Sequence, residues 1–190
     1  DRYKKLKLYN KSIENSLYSV DELRKDPEGE YFEQSWPLYE MGLDFYHYKD
    51  YNKALEFSLA AYKHNNINNP NGYWFVKGCS DLVAMSYLKQ GNFDSAKSWL
   101  DTTLHYANLQ NDTAWIGIAT GNIGSIFYLQ QQYSKAIPYY EKALPYCRKY
   151  YMWDNIAPFC TNLADCYMQT GNNEAVPALL KEADSANRND

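Results

Sequence analysis

The strongest constraint on what this chain folds into is a residue pattern written four times at a nearly constant step. Ala54, Ala96, Ala136 and Val176 follow one another at intervals of 42, 40 and 40 residues. Twelve residues before each stands another small residue: Gly42, Ala84, Gly124 and Ala164. Small residues at fixed places let two helices approach closely, while large apolar residues around them fill the remaining space. A period of about forty with two such anchors per copy is that of stacked helical hairpins, each burying its apolar face against the next. Such stacks work by binding other molecules along an extended surface.

The copies align in detail. The first hairpin carries Leu38, Met41, Gly42 and Phe45 at helical spacing, then Tyr51, Ala54, Leu55 and Ala61. The second uses Val83, Ala84 and Tyr87, then Phe93, Ala96, Leu100 and Thr103. In the third, Ile123, Gly124 and Phe127 lead to Tyr133, Ala136, Tyr140 and Ala143, and in the fourth Leu163, Ala164 and Tyr167 lead to Asn173, Val176, Leu180 and Ala183. The predicted hairpins span about 35–66, 73–110, 113–150 and 154–188, within a repeat region 35–190. Between the two helices of a copy, here called A and B, Gly91-Asn92 and Gly171-Asn172 supply a left-handed stop and a cap for the next helix. Lys49-Asp50 and Gln131-Gln132 take the same places in the other two copies. An Asn-rich linker, 65–72, cannot sustain a helix. Pro37 and Pro158 are read in first turns, where a missing donor costs little, and Pro145 late in the third B helix, where a kink or early unwinding is expected.

The spelling Tyr9-Asn10-Lys11-Ser12 anticipates Tyr51-Asn52-Lys53-Ala54, again at a step of 42. Residues 1–30 therefore read as an N-terminal helix, either the B helix of an incomplete copy of a longer protein or a capping helix.

Composition narrows the function. A net charge of −4 and a pI near 5.4 disfavour a nucleic-acid surface, which draws on clustered Lys and Arg. No stretch approaches the roughly 18–20 apolar residues of a membrane span. The chain reads as soluble, either cytoplasmic or an exported domain whose signal was removed, with no direct membrane insertion. His47, His64 and His105 have no metal-binding spacing, and no phosphate loop or nucleophile elbow is present. No catalytic residue, metal or cofactor is expected. Cys79, Cys147, Cys160 and Cys166 read as small buried packing residues; Cys147 and Cys160 flank one connecting turn, and their pairing depends on a separation that sequence does not supply.

Position by position the copies resemble the tetratricopeptide repeat, most closely in Ile123-Gly124 with Phe127, Ala136, Tyr140 and Ala143, and in Leu163-Ala164 with Tyr167. Ser58 departs from the pattern where a large residue is usual, Val176 where Ala is usual, and the period of 40–42 resembles the long-repeat class of kinesin light chains and bacterial peptide-sensing regulators. The resemblance implies an all-α fold, a right-handed α-α superhelix whose A helices line a concave groove. Counting from the small anchors, the first copy offers Trp36, Tyr39, Glu40, Leu43 and Tyr46 to that groove, and the second Asp81, Leu82, Met85 and Lys89. The third offers Ile118, Asn122, Ser125 and Tyr128, and the fourth Thr161, Asn162, Asp165 and Met168. In long-repeat relatives an Asn just before the Leu-Gly-like pair binds the backbone of an extended peptide, which places Asn122 and Asn162 in that role or, alternatively, as solvated polar residues. A carboxylate clamp is disfavoured, since Lys89 is the sole cation on this face.

The expected function is therefore a non-enzymatic scaffold that binds a protein or peptide segment in its groove. The alternative is a sensory input domain of a larger bacterial signalling protein, a histidine kinase or transcriptional regulator. A self-associating structural solenoid is a third reading, and the oligomeric state is open.

Overall fold

The computed structural model of the chain describes Lys11, residues 31–64 and residues 72–189. The remainder of the proposed N-terminal helix and the linker 65–71 lie outside the described residues. Eight α-helices follow in order: α1 Tyr31–Tyr48, α2 Tyr51–His64, α3 Gly72–Lys89, α4 Phe93–Leu109, α5 Thr113–Leu129, α6 Tyr133–Lys149, α7 Trp153–Thr170 and α8 Val176–Asn189. No strand occurs among the described residues. The chain divides into two compact units, one up to Thr102 and one from Thr103, with the division inside α4.

The turns explain the constancy of the period. Lys49 (φ 69°), Gly91 (77°), Asn111 (52°), Gln131 (59°), Tyr151 (54°) and Gly171 (83°) all adopt the left-handed conformation. In each case the next residue donates its N–H to the carbonyl five positions back, as Asn92 does to Tyr87 at 3.0 Å and Gln132 to Phe127 at 2.9 Å. This is the Schellman closure of a helix end, which satisfies a carbonyl that the helix itself leaves unpaired. Asp50, Asn92 and Asp112 then accept through Oδ1 from the backbone N–H three residues on, each at 3.2 Å, and so cap the following helix. Gln132 makes no side-chain cap. The fourth turn departs from expectation: Gly171 ends α7, but α8 begins only at Val176, so Asn172 does not stand at its start.

The helices begin earlier than the apolar pattern suggested, which corrects the placing of two prolines. Pro37 is inside α1, which starts at Tyr31, and Pro158 is inside α7, which starts at Trp153, so both lie beyond the first turn. Nor does α6 unwind at Pro145; it runs on to Lys149. Pro138 and Pro145 are exposed, as are Ser134 and Glu141, whose carbonyls those prolines cannot bond. At such exposed positions water can serve a carbonyl that the helix leaves unpaired, which lessens the cost of two prolines in one helix.

Within the first unit, α1 packs on α2 and α3. A methyl at Gly42 would stand 3.0 Å from Leu82 Cδ2 and 3.3 Å from the Ser58 backbone nitrogen, so this glycine sets how closely α1 meets both neighbours. Ser58 is fully buried and returns its hydroxyl to the Ala54 carbonyl at 2.7 Å, which accounts for a small polar residue where the repeat usually has a large one. Phe45 stacks on Phe57 at 5.4 Å beside Met41 and Ala54.

In the second unit α5 packs on α6, α6 on α7, α7 on α8, and α5 also meets α7. The core is built from Ala136, Tyr140, Ala143, Leu144, Ile156, Phe159, Leu163, Ala164, Val176, Leu179 and Ala183 with Cys147, Cys160 and Cys166. All four cysteines are free and buried, so Cys147 and Cys160 do not pair. Burial pushes the thiols of Cys147 and Cys166 up to about 11 and that of Cys160 to about 12, which keeps them protonated. No described helix is long and apolar enough to cross a membrane.

Candidate binding face

In the second unit the A helices α5 and α7 carry the polar positions read from the sequence, and a residue of the intervening B helix ties them together. Tyr140 on α6 is fully buried, yet its hydroxyl reaches toward the α5–α7 face. The Asn162 Nδ2 donates to that hydroxyl at 3.0 Å, the hydroxyl donates to Ser125 Oγ at 3.0 Å, and Ser125 donates to the Gly121 carbonyl at 3.2 Å. Burial holds the Tyr140 hydroxyl well above its usual range, so it stays protonated and can donate throughout the neutral range. One turn further along the same helices, the Tyr128 hydroxyl donates to Asp165 Oδ2 at 2.8 Å and the Gln169 amide donates to Oδ1 at 3.2 Å. The hydrogen bond to Asp165 is the main cause that pushes Tyr128 up to about 12.

Exposure sorts the remaining positions. Ile118 and Asn122 are 8% and 4% exposed and underlie the face. Among the described residues no buried side-chain nitrogen or oxygen lacks a hydrogen-bond partner, so the Asn122 amide is satisfied within the fold. Ser125, Tyr128, Asn162 and Asp165 are half-buried, Thr161 is exposed, and Met168 is 47% exposed. The face thus pairs a pre-formed polar strip with one flexible apolar side chain, and Asn162 serves the fold by holding Tyr140 while its amide oxygen faces no partner fixed by that bond.

In the first unit the A helices α1 and α3 give an aromatic face. Trp36 is 37% exposed and lies 6.0 Å from Tyr39 and 6.2 Å from Phe75, with Tyr39 and Phe75 edge to face at 5.5 Å. Tyr46 packs edge to face on Tyr51 at 5.7 Å. Burial is the main cause that holds both the Tyr39 and the Tyr46 hydroxyls well above their usual range, and the negative charge of Asp81 adds to it at each. Leu43 and Met85 are half-buried, Leu82 is buried and Lys89 is exposed.

Sequence reasoning missed Gly117, Gly121, Gln169 and the role of Tyr140. A methyl at Gly117 would stand 2.6 Å from Tyr146 Cβ, and one at Gly121 would stand 2.1 Å from the Phe159 ring. The signal was present: Gly117, Gly121 and Gly124 recur at steps of four and three, the spacing of one helix face.

These features define a helical-hairpin repeat protein whose described core lies between short helices and whose polar strip runs along facing A helices. Residues 78–149 match the tetratricopeptide repeat family, so this stretch carries tetratricopeptide repeats. No curated protein sequence matches it significantly. Among solved structures, it resembles aspartyl phosphate phosphatase F from Bacillus subtilis with a TM-score of 0.74 at 15% identity, over 95% of this chain and 51% of that one. It resembles the apo form of RapI at 0.70 and 16% identity, over 98% and 64%. A putative kinesin light chain from Podosopora anserina with nearly identical TPR-like repeats gives 0.66 at 13% identity, over 98% and 90%. At these identities the likeness is one of fold, and the chain spans about half of the phosphatase and under two thirds of RapI. Tetratricopeptide repeats are generally a non-enzymatic interaction scaffold, and they point to protein partners.

Proposed function

We propose that the chain is a peptide- or protein-binding scaffold that receives an extended segment on its A-helix faces, with the α5–α7 face of the second unit as one seat. The observation that carries this reading is the strip Asn162, Ser125, Tyr128 and Asp165. Its side chains are already oriented by hydrogen bonds, so a ligand meets donors and acceptors whose ordering entropy is spent before it arrives. The Asn162 amide oxygen and the second lone pairs of Asp165 accept peptide N–H groups, and exposed Met168 adapts to an apolar side chain. In the first unit Trp36 with Tyr39, Leu43, Tyr46, Met85 and Lys89 offers an aromatic anchor of the kind that dominates binding energy. The same seats would serve an input module of a larger signalling protein, the second reading, which draws support from the likeness to a phosphatase of about twice this length.

Selection of binders from a random peptide library tests the proposal. Thr161→Arg and Met168→Arg, which fill the face, are expected to weaken selected peptides at least tenfold, while Lys97→Glu on the exposed side of α4 leaves them unchanged. Equal binding by all three variants refutes the placement.

A further inference from the structure

The chemistry at Asp165 specifies the ligand further, resting on the peptide-binding reading above. Its carboxylate sits half-buried on α7, and both hydrogen bonds it receives come from neutral groups, the Tyr128 hydroxyl and the Gln169 amide. Among the described residues it is not part of an ion pair, unlike Asp101 with Lys97, Glu182 with Arg148 and Asp184 with Arg188. An ionised carboxylate offers about four lone-pair sites, of which two are used. Partial burial raises the value of a matching positive charge, because the surrounding dielectric screens it less than water does. Beside the carboxylate the Tyr128 ring meets the Tyr133 ring edge to face at 5.9 Å, so aromatic surface adjoins the charge. Gln169 itself lines a shallow depression together with Gln131, Gln132, Tyr133, Ser134, Lys135 and Thr170.

A planar cation that donates two parallel N–H bonds and lies against an aromatic ring meets all of these conditions, whereas a compact ammonium uses only the charge. We propose that Asp165 receives an arginine side chain of the bound peptide, its guanidinium on the carboxylate and against Tyr128. The net charge of −4 favours approach of such a ligand. The Asn162 amide, one turn back on the same helix, is placed to hold the adjoining peptide backbone.

The test is an NMR titration of the full chain, isotope-labelled, with the tripeptide acetyl-Gly-Arg-Gly-amide and with its citrulline counterpart, which keeps the shape but lacks the charge. The arginine peptide is expected to give saturable shifts at the backbone amides of Tyr128 and Asp165. Citrulline, or Asp165→Asn with the arginine peptide, should bind at least tenfold more weakly. Asparagine preserves an acceptor for Tyr128, and should that variant fail to fold, the arginine–citrulline comparison on the unaltered chain still decides. Equal affinity for both peptides, or no saturable shift at α5 and α7, overturns the inference. Library-selected peptides that lack arginine yet are lost on Met168→Arg would overturn it while sustaining the scaffold reading; no peptide on this face at all would overturn both.

Discussion

Gly121→Ala tests the close approach of α5 and α7, on which the polar strip depends. The added methyl carbon would lie 2.1, 2.3 and 2.7 Å from Phe159 Cε2, Cζ and Cδ2. Ordinary carbon contacts are roughly 3.5 Å, so the ring must withdraw by more than about 1 Å. It has little room: Phe159 is 2% exposed and lies 5.6 Å from the Tyr140 ring, which is itself fully buried. Two effects compete. Replacing glycine by alanine inside a helix gains about 1 kcal/mol, whereas overpacking a dense core costs about 1–3 kcal/mol. Because the clash is with a buried ring and not a flexible tip, the upper end applies, for a net loss of about 2 kcal/mol. Urea unfolding followed by circular dichroism reads this as a lower midpoint. The control is the same change in a Phe159→Ala background, where truncation alone costs about 3–5 kcal/mol but removes the obstacle. There Gly121→Ala should be neutral or gain up to about 1 kcal/mol, a non-additivity that marks direct contact. A Gly121→Ala protein more stable than the parent would refute the reasoning.

At the turns, Gln131→Gly relieves a left-handed residue and is expected to stabilise by a few tenths to about 1 kcal/mol once the greater freedom of unfolded glycine is counted, while Gly171→Ala should cost about 1 kcal/mol; chemical denaturation distinguishes the two directions. The bidentate bond from Arg148, at 2.7 Å to each oxygen, holds the Glu182 carboxyl below its ordinary range, so its contribution is present above that range and is lost as pH falls through the folded-state value. Glu182→Gln should therefore flatten the acid limb of the stability profile, and an unchanged limb would count against the pair. The four thiols should resist Ellman's reagent in the folded protein and react only on unfolding; rapid labelling of any of them in native conditions would contradict their burial.

The hairpin plan was legible because it is periodic: the small anchors and the left-handed turns recur at steps of 40–42, and each has one physical reason. Helix starts were not, because Tyr31 and Trp153 precede the first apolar repeat position, and Pro37 and Pro158, which read as first-turn residues, lie further inside their helices. Of the candidate site, the sequence indicated which residues share the A-helix face but not how they engage. Asn162 and Tyr140 are 22 residues apart and on different helices, so their bond exists only once α6 and α7 are packed. Asn122 and Asn162 occupy equivalent places in their copies, yet one is buried and the other half-buried, a difference made by neighbours and not by spelling. The fourth turn shows the same limit, since Asn172 matches Asn92 in sequence but is followed by a longer connection before α8.

Chemical-shift mapping of the isotope-labelled chain with a library-selected peptide tests the central claim most directly. The account predicts that the largest shifts in the second unit fall on α5 and α7, at Ser125, Tyr128, Asn162, Asp165 and Met168. Shifts concentrated instead on the exposed sides of α6 and α8, at residues such as Lys142 and Lys181, would contradict it.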